Sequence, residues 1–311
     1  MNLFVQGMRR SGTTILYDAL LEDRELRCFY EPLREQKVSV GGGSGARDED
    51  SFAETGALRE QFRRERYPQL EIAQFNWGGP RKPPLEVDPG LPEHCVEWLR
   101  SLLAAAPAVA IKETRFYSKV PELAELDPDA ALVHVVRDPR AVAASIVLGR
   151  GRRQEEMLAT PDLFFGDRSK RKLWSCRPIS RRMIRRGLAE GAEPAALADP
   201  SNVLRVLLVW KLTFERTLRQ GRELFGDRYL LVRNEDLRSD PTAALGSIYE
   251  LLGREMPAEV SAWAGDKVRE PEPLYAADDG RWRAELERAG LSEELLAEAG
   301  YSADLAGTLD K

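Results

Sequence analysis

A short apolar strand that runs into a glycine-containing turn and then into a helix is the feature that most constrains this chain. Residues 3–14 read Leu-Phe-Val-Gln-Gly-Met-Arg-Arg-Ser-Gly-Thr-Thr, with Gly7 and Gly12 at the spacing of a phosphate-binding loop. Backbone N–H groups and a helix N-terminus meet at such a turn and favour an anion. Thr13 stands where the lysine of nucleoside triphosphatases reaches the β- and γ-phosphates, and the cation Arg10 lies earlier in the loop. The turn therefore indicates a shorter, differently charged ligand.

The apolar pattern predicts an α/β fold, with a P-loop-type, mostly parallel sheet that is flanked by helices on both faces. Short runs rich in Val, Leu and Ile lie at 3–6, 108–111, 131–136 and 229–232. Helical patterns alternate with them, at 13–22, 93–105, 118–125, 140–148, 201–224, 241–252 and 281–289. We expect a single domain over 1–311, with loops and short helices over the sheet edge at 32–92 and an insertion at about 150–200.

Composition and cysteine spacing exclude several classes of protein. Apolar residues make up 43% of the chain, enough for a normal core, and no run comes near the roughly 20 apolar residues that span a bilayer. The first residues lead into a strand without the basic and apolar regions of a signal peptide, so we expect a cytoplasmic protein. The widely spaced cysteines at 28, 95 and 176 form no CxxC pair, which argues against a disulfide framework and a structural zinc site.

Basic residues are concentrated in one segment of an otherwise acidic chain. Between Gly149 and Gly187 the sequence has 12 Lys or Arg and four Asp or Glu, so the segment carries +8 and the rest of the chain −13. This distribution indicates an anionic ligand or surface near one face, and argues against a protein that coats nucleic acid. A solvated basic helix at 180–186 is the simpler alternative.

A second motif places an arginine and a serine near the same edge of the predicted sheet. The buried strand at 131–136 ends at Arg137, and Ser145 follows eight residues later in the next helix. An arginine at the carboxyl end of one strand and a hydroxyl two turns into the following helix can both reach a phosphate there. Arg137 also occupies the position of a metal-binding Walker-B aspartate, so Mg²⁺-dependent triphosphate chemistry loses support.

Four segments resemble the sulfotransferase family, in family order and over nearly the whole chain. They are the loop at 7–14 and the segments 135–145, 231–237 and 280–283. The resemblance implies transfer of a sulfuryl group from 3′-phosphoadenosine 5′-phosphosulfate (PAPS) to a hydroxyl of a small molecule, such as a sugar or a secondary metabolite, without a metal.

The resemblance also assigns the residues that bind the donor. Arg9, Arg10, Ser11, Gly12, Thr13 and Thr14 would bind the 5′-phosphosulfate, Arg137 and Ser145 the 3′-phosphate, and Arg281 would belong to a C-terminal loop over the 3′-phosphate. Arg10 replaces the lysine that is commonest in the family, as in carbohydrate-type members. Because a guanidinium does not deliver a proton, we expect Arg10 only to stabilise charge on the leaving phosphate.

The transfer needs a base for the acceptor hydroxyl, and Glu31 is the best candidate. It follows a short strand at 27–30, and the segment 29–33 resembles one in carbohydrate sulfotransferases where a glutamate can act as base. The alternative is a surface carboxylate that caps a turn or pairs with Arg34. His134 lies within an apolar strand and is interpreted as a core residue, and His94 opens a helix and is a weaker candidate for the base.

Lys112 and Arg115 follow another predicted strand and can direct positive charge at the sulfuryl group or the acceptor, with Lys112 included among the catalytic residues. The alternative is an ordinary ion pair with Glu113 at the end of the strand. Arg233, Glu235 and Asp236 resemble a segment of the family that positions loops.

Two other functions remain open on sequence grounds. A P-loop kinase would need ATP and Mg²⁺, and Thr13 in the lysine position argues against it. A protein that binds a nucleotide without reacting would keep the fold and the loop, so the fold alone cannot separate it from an enzyme. The sequence does not identify the acceptor and leaves an anionic one open. It also leaves the oligomeric state open.

Overall fold

A computed structural model describes residues 1–33, 46–71, 86–149, 153–269 and 280–303, with the backbone alone at 46–52 and 153. The strands are β1 (Leu3–Gly7), β2 (Arg27–Tyr30), β3 (Val109–Glu113), β4 (Ala131–Val136) and β5 (Tyr229–Arg233). They form one five-stranded sheet in the order β2-β3-β1-β4-β5, in which every pairing is parallel. The predicted parallel sheet is therefore confirmed, and its strands begin and end close to the predicted positions.

Helices connect and cover these strands. In chain order they are α1 (Thr13–Leu20), α2 (Ala46–Arg66), α3 (Glu93–Leu103), α4 (Val120–Leu126), α5 (Pro139–Leu148), α6 (Arg153–Ala159), α7 (Pro161–Gly166), α8 (Cys176–Arg185), α9 (Pro194–Ala198), α10 (Asn202–Phe225), α11 (Asn234–Ser239), α12 (Pro241–Leu251), α13 (Ala258–Lys267), α14 (Gly280–Arg288) and α15 (Glu293–Glu298). In the described part of the chain, no helix combines the length and the apolar character needed to cross a bilayer.

Alternate residues of the central strand β1 pack against different helices. Leu3 and Val5 are buried with the apolar faces of α1, α12 and α13, whereas Phe4 is buried with those of α3 and α4. A parallel strand that is covered on both sides reads as a continuous apolar run, which is why these strands were visible in the sequence. The prediction of helices on both faces is confirmed.

Two caps set where the functional helices begin. The Asp138 carboxylate accepts a hydrogen bond of 2.8 Å from the Arg140 N–H at the start of α5, with Pro139 in the first turn. The Ser201 hydroxyl accepts a bond of 3.1 Å from the Leu204 N–H at the start of α10. These caps fix the first turns of the helix that carries Ser145 and of the long helix behind it.

The order in which the chain adds strands to the sheet reverses between β1 and β4. The chain moves from β1 across β3 to β2, and later from β4 outward to β5, so the connections leave β1 and β4 on opposite sides. In open α/β sheets, ligands bind beyond the carboxyl ends of the strands at such a switch point. Gly7 and Val135 are register partners there, so the loop after β1 and the turn after β4 are neighbours.

The region at 32–92 differs from its prediction. Helix α2 is 21 residues long, where short helices were expected, and it packs against the edge strand β2. Its sequence is strongly polar and gave little amphipathic signal, so the periodicity rule missed it. The glycine-rich segment 41–45 and residues 78–85 lie outside the described residues.

Candidate active site

The loop between β1 and α1 has no room for a side chain at two positions, Gly7 and Gly12. Gly12 has φ +93°, and a Cβ there would collide with the side chain of Asn234. A Cβ on Gly7 would overlap the carbonyl oxygen of Val135 and lie 2.7 Å from Cγ2 of Thr13. The Ser11 N–H donates to the Met8 carbonyl at 3.1 Å and closes the turn. The loop is therefore held against the ends of β1, β4 and α11.

Two buried polar atoms of this loop have no hydrogen-bond partner among the described residues. They are the Ser11 hydroxyl oxygen and Nη1 of Arg9, in side chains that are 1% and 6% exposed. An unpaired buried donor costs about 1–3 kcal/mol, so such atoms mark a place where a ligand oxygen can complete the hydrogen bonding. A loop with unpaired donors, next to a helix N-terminus, is suited to an oxyanion.

The structure brings together the residues predicted to hold two different phosphates. Arg10, with φ +73°, donates from Nε to the Ser145 hydroxyl at 2.9 Å. Arg137 donates from Nη1 to the Arg10 carbonyl oxygen at 3.3 Å. The guanidinium of Arg10 also lies 5.8 Å from the ring centroid of Trp174. Two cations and a hydroxyl thus converge at the switch point.

Arg137 and the start of α5 are positioned by residues from distant segments. Trp210 of α10 donates from Nε1 to the Arg137 carbonyl at 2.9 Å. Glu235 accepts the Asp138 N–H at 3.1 Å on one oxygen and the Tyr301 hydroxyl at 2.6 Å on the other. Burial raises the pKa of Glu235, against the hydrogen bonds from Tyr301 and Asp138. Glu235 therefore joins the turn after β4 to the C-terminal part of the chain, which fits its predicted role in positioning loops.

Glu31 is a buried carboxylate at the end of β2. Its side chain is 5% exposed and its φ is +41°, a left-handed conformation that is uncommon outside glycine. The Glu31 N–H donates to the Lys112 carbonyl at 2.7 Å, which continues the β2–β3 ladder by one residue. The alternative of a surface carboxylate is wrong, and its suggested partner Arg34 lies outside the described residues.

Three side chains surround the Glu31 carboxylate. Lys112 donates from Nζ to Oε1 at 2.8 Å, Thr114 is 3.5 Å from the same oxygen, and Arg115 lies 3.4 Å from Oε2. The Lys112 ammonium also lies 3.8 Å from the ring centroid of Tyr30. Burial disfavours its charge, but the charges and hydrogen bonds of Glu31 and Tyr30 together outweigh this and raise the pKa of Lys112. The Lys112 side chain is therefore charged.

An ion pair with Glu113 was the alternative for Lys112 and Arg115. The structure gives a different outcome for each of the two. Arg115 donates from Nη1 to Glu113 at 3.1 Å as well as to Glu31, whereas Lys112 pairs with Glu31. Side chains alternate along a strand, so Lys112 and Glu113 point to opposite sides of the sheet. Lys112 thus serves Glu31, and Arg115 contacts both carboxylates.

The base candidate is tied to the loop through helix α1. The hydroxyl groups of Thr14 and Tyr30 lie 3.0 Å apart, and Tyr30 directly precedes Glu31. The rings of Tyr17 and Tyr30 pack edge to face with centroids 5.0 Å apart. The Glu31 side and the loop side therefore belong to one site.

Glu86 joins this site and had no sequence signal. Its carboxylate accepts from Nη2 of Arg9 at 2.6 Å and from Nε of Arg115 at 3.3 Å. It is fully buried and reaches the loop from a proline-rich stretch far along the chain. A glutamate in such a stretch looks like an exposed loop residue, so only the folded chain reveals it.

The two histidines are not in this constellation. His134 is 1% exposed, and its Nδ1 lies 2.9 Å from the hydroxyl oxygen of Tyr229. Burial lowers its pKa to about 3, so the imidazole is neutral. This agrees with the interpretation of His134 as a core residue. His94 lies in α3, where its ring contacts that of Tyr67.

Arg281 contacts elements other than the loop. Its guanidinium pairs with Asp162 at the start of α7 and lies 5.8 Å from the ring centroid of Phe165. The neighbouring Trp282 is buried against Phe164 and Phe165. The alternative of Trp282 as a core anchor thus fits the structure, and a role of Arg281 in donor binding stays a prediction.

Several arginines of the basic segment bond to backbone carbonyls and side chains of the chain itself. Arg177 donates to the carbonyls of residues 168, 169 and 171 and to Asn202, and Arg182 and Arg186 both contact Asp88. Trp174 of the same segment lies beside Arg10 and is 52% exposed. It belongs to a turn of three left-handed residues at 173–175. Residues 150–152 lie outside the described residues.

A metal centre would need a cluster of ligands. Within the described ranges, no group of three or more His, Cys, Asp or Glu residues is placed to hold a metal ion. Asp138, in the turn after β4, is engaged by the guanidinium of Arg140 at 2.5 Å.

Comparison with known proteins places this constellation in context. The sequence model of the sulfotransferase family matches residues 2–163, which include the loop, Glu31, Lys112, Arg137 and Ser145. A search of curated proteins finds no match.

Several solved sulfotransferase structures are similar to this chain. STF9 from Mycobacterium avium is 17% identical, with 96% of this chain and 75% of that chain covered and a TM-score of 0.48. The sulfotransferase domain of the curacin biosynthetic pathway is 14% identical, covering 96% and 97% with a TM-score of 0.46. A sulfotransferase from Alicyclobacillus acidocaldarius is 15% identical, covering 97% and 96% with a TM-score of 0.44.

Proposed function

Because the chain belongs to the sulfotransferase family, we propose that it moves a sulfuryl group from PAPS to a hydroxyl of a small-molecule acceptor, a sugar or another metabolite. The observation that carries this proposal is a juxtaposition. A phosphate-type loop with Arg10 bonded to Ser145 lies at the same sheet edge as the buried carboxylate of Glu31. Positive charge for an anionic donor and a base for a hydroxyl acceptor are thus available in one site.

The residues of the donor side fit a molecule with two phosphate-type groups. Ser11 and Arg9 offer buried donor atoms without partners among the described residues, and Gly12 lets the loop pack against Asn234, where a Cβ would not fit. We assign these residues, with Arg10, Thr13 and Thr14, to the 5′-phosphosulfate, and Arg137 and Ser145 to the 3′-phosphate. Arg281 is a further candidate for the 3′-phosphate.

Glu31 is proposed as the general base. Lys112 and Arg115 keep its carboxylate ionised and fix its direction, so that it can accept the acceptor hydroxyl proton. The acceptor oxygen forms a bond to sulfur as the bond between sulfur and the 5′-phosphate oxygen breaks, and the electron pair leaves with that phosphate. Glu31 holds the proton at the end of the step.

Arg10 and the N–H groups of the loop are proposed to stabilise the negative charge that develops on the leaving phosphate. Fixed donors in a partly buried site do this without reorganisation when the charge moves, and such stabilisation is usually the main source of rate enhancement in reactions of this kind. Lys112 adds a second positive charge beside the base. We therefore propose a reaction that relies on positioning and electrostatics, without a metal.

The acceptor is proposed to contact the basic segment. Trp174 belongs to that segment and lies over Arg10 with half of its surface exposed. Lys170, Lys172, Arg181 and Arg185 are exposed along the same segment, which favours an acceptor with negative charge.

Calorimetric titration with 3′-phosphoadenosine 5′-phosphate (PAP), the spent donor, and with ATP tests the proposal. In buffer with EDTA we expect PAP to bind and Arg137→Ala to weaken it by about 10- to 100-fold, since a charge-assisted hydrogen bond is worth about 1.5–3 kcal/mol. Arg269→Ala, an exposed arginine after α13, is the matched control and should leave the affinity unchanged. Binding of ATP alone, and only with Mg²⁺, would instead establish the kinase.

The same protein then distinguishes an enzyme from a binding protein. We expect PAP to form from PAPS when a library of hydroxyl acceptors is added. Tight PAP binding without sulfuryl transfer to any member of a broad library would favour a nucleotide-binding protein that does not react.

A further inference from the structure

We propose that Glu86 is a positioning residue of the transfer reaction, which holds Arg9 so that its Nη1 contacts the sulfuryl group that is transferred. This inference rests on the proposed function and adds two residues to it: Glu86, which no motif indicated, and Arg9, with a role at sulfur in place of a general role in donor binding.

The contacts show how Glu86 orients two cations at once. One carboxylate oxygen accepts from Nη2 of Arg9 at 2.6 Å, and the other accepts from Nε of Arg115 at 3.3 Å. The three side chains are buried, with exposed fractions of 6%, 1% and 8% for Arg9, Glu86 and Arg115. Because a planar guanidinium bonded through Nη2 has its direction fixed, the position of Nη1 is fixed as well.

The Nη1 atom of Arg9 points to a ligand. It is buried and has no hydrogen-bond partner among the described residues, although Nη2 of the same group is tightly bound. Burial disfavours the charged guanidinium, but Glu86, with smaller contributions from Tyr117 and Cys176, outweighs this and raises the pKa of Arg9. A fixed cation with one unused donor is suited to an oxygen of an anionic group.

Arg9 links the donor loop to the proposed base. It is a residue of the loop, and the ion pairs Arg9–Glu86, Glu86–Arg115 and Arg115–Glu31 connect it to the base candidate. In the transfer, the sulfuryl group must lie between the 5′-phosphate in the loop and the acceptor oxygen beside Glu31. Arg9, which links the loop to the base, is therefore assigned to the sulfuryl group, whereas Arg10 is engaged with Ser145.

The charge balance explains why a carboxylate is needed at Glu86. The cluster has three cations, Arg9, Lys112 and Arg115, and three carboxylates, Glu31, Glu86 and Glu113, all buried. Loss of one anion would leave an uncompensated buried cation, which is strongly unfavourable. Without Glu86, Arg115 would turn toward Glu31 or Glu113, and Arg9 would lose the contact that fixes its guanidinium.

Separate calorimetric titrations with PAPS and with PAP test this inference, since the two ligands differ by the sulfuryl group alone. We expect Glu86→Gln to weaken PAPS binding by about tenfold, the effect of losing one well-placed hydrogen bond. PAP binding should change by less than about twofold by the same measure. Glu86→Asp should recover part of the preference for PAPS, because it keeps the charge.

Two further variants complete the design. Arg9→Lys keeps the charge without the planar fork, so it should also lose the preference for PAPS even where Glu86→Gln folds poorly. Asp88→Asn is the matched control: Asp88 is a nearby half-buried carboxylate that binds Arg182 and Arg186, outside the site. Asp88→Asn should bind both ligands as the wild type does.

The outcomes separate the two proposals. In Glu86→Gln and Arg9→Lys, equal weakening of PAPS and PAP binding, or no weakening of either, would overturn the role of Glu86. The proposed donor site would stand. A wild-type protein that binds neither ligand would overturn the proposed function itself.

Discussion

The two halves of the site handle charge in opposite ways. In the base half, formed by Glu31, Glu86, Lys112, Arg115 and Arg9, every charged side chain is buried and pairs with an opposite charge. In the donor half, formed by Arg10, Arg137 and Ser145, Arg10 is exposed and Arg137 is half-buried.

In the donor half, Arg10 bonds to the Ser145 hydroxyl and Arg137 bonds to the Arg10 carbonyl, and both acceptors are neutral oxygens. Every charged group of the base half is therefore paired when the chain folds, whereas Arg137 pairs with no carboxylate of the described residues and keeps its positive charge available for an incoming anion. Arginine therefore serves as structure at Arg115, which bonds to three buried carboxylates, and as a binding group at Arg137. Arg9 combines the two roles, because Glu86 holds one nitrogen of its guanidinium and the other stays available to a ligand.

The same substitution made in each half gives the largest expected effect. Arg115→Ala leaves Glu31, Glu86 and Glu113 without a shared cation and should lower the free energy of unfolding by about 3–5 kcal/mol. Arg137→Ala removes a half-buried group bonded to a carbonyl and should cost less than about 1 kcal/mol. Urea unfolding of both variants measures this. Similar losses for the two would remove the distinction between the halves.

The second prediction concerns turnover in the base half. Glu31→Gln keeps the shape of the side chain but cannot accept a proton, so turnover should fall by at least about 100-fold, the lower end for loss of a general base. PAP affinity should stay near the wild-type value, because the donor half is unchanged. Turnover is measured as PAP release from PAPS with an acceptor that the wild type sulfates.

Thr114→Val is a suitable control for this prediction. It removes the weaker 3.5 Å contact to the same carboxylate and keeps the shape of the side chain, so it should cost far less than the loss of Glu31. Turnover of Glu31→Gln near the wild-type rate would exclude Glu31 as the base and direct attention to Glu86.

The two halves also differ in how far the sequence could reveal them. Gly7, Gly12, Arg137 and Ser145 were found because each follows an apolar strand, and the carboxyl ends of parallel strands meet at one edge of the sheet. The strands themselves were found because both of their faces are buried.

The pairing within the base half had no such signal. Glu86 and Arg9 are 77 residues apart, and Arg115 and Glu31 are 84 apart. A buried glutamate has no periodicity that distinguishes it from an exposed one. Glu31 was found because it follows a short strand and through resemblance, whereas Glu86 was not found. Helix α2 was missed for a related reason, since its polar sequence has almost no apolar face.

The weakest effect is expected at a buried ionisable group outside both halves. His134 is buried with no opposite charge paired to it among the described residues, and burial lowers its pKa from 6.5 to about 3. Between these values the unfolded chain binds a proton that the folded chain does not, so stability falls as the pH decreases below about 6.5. From pH 7 to about 5.5 this group should remove about 1 kcal/mol of stability.

His134→Asn can keep a bond to the Tyr229 hydroxyl and should lack this loss. Urea unfolding of this variant and of the wild type at the two pH values measures the difference. A pH dependence that is the same in His134→Asn as in the wild type would mean that His134 is protonated in the folded chain, so that this core, like the base half, tolerates a buried charge.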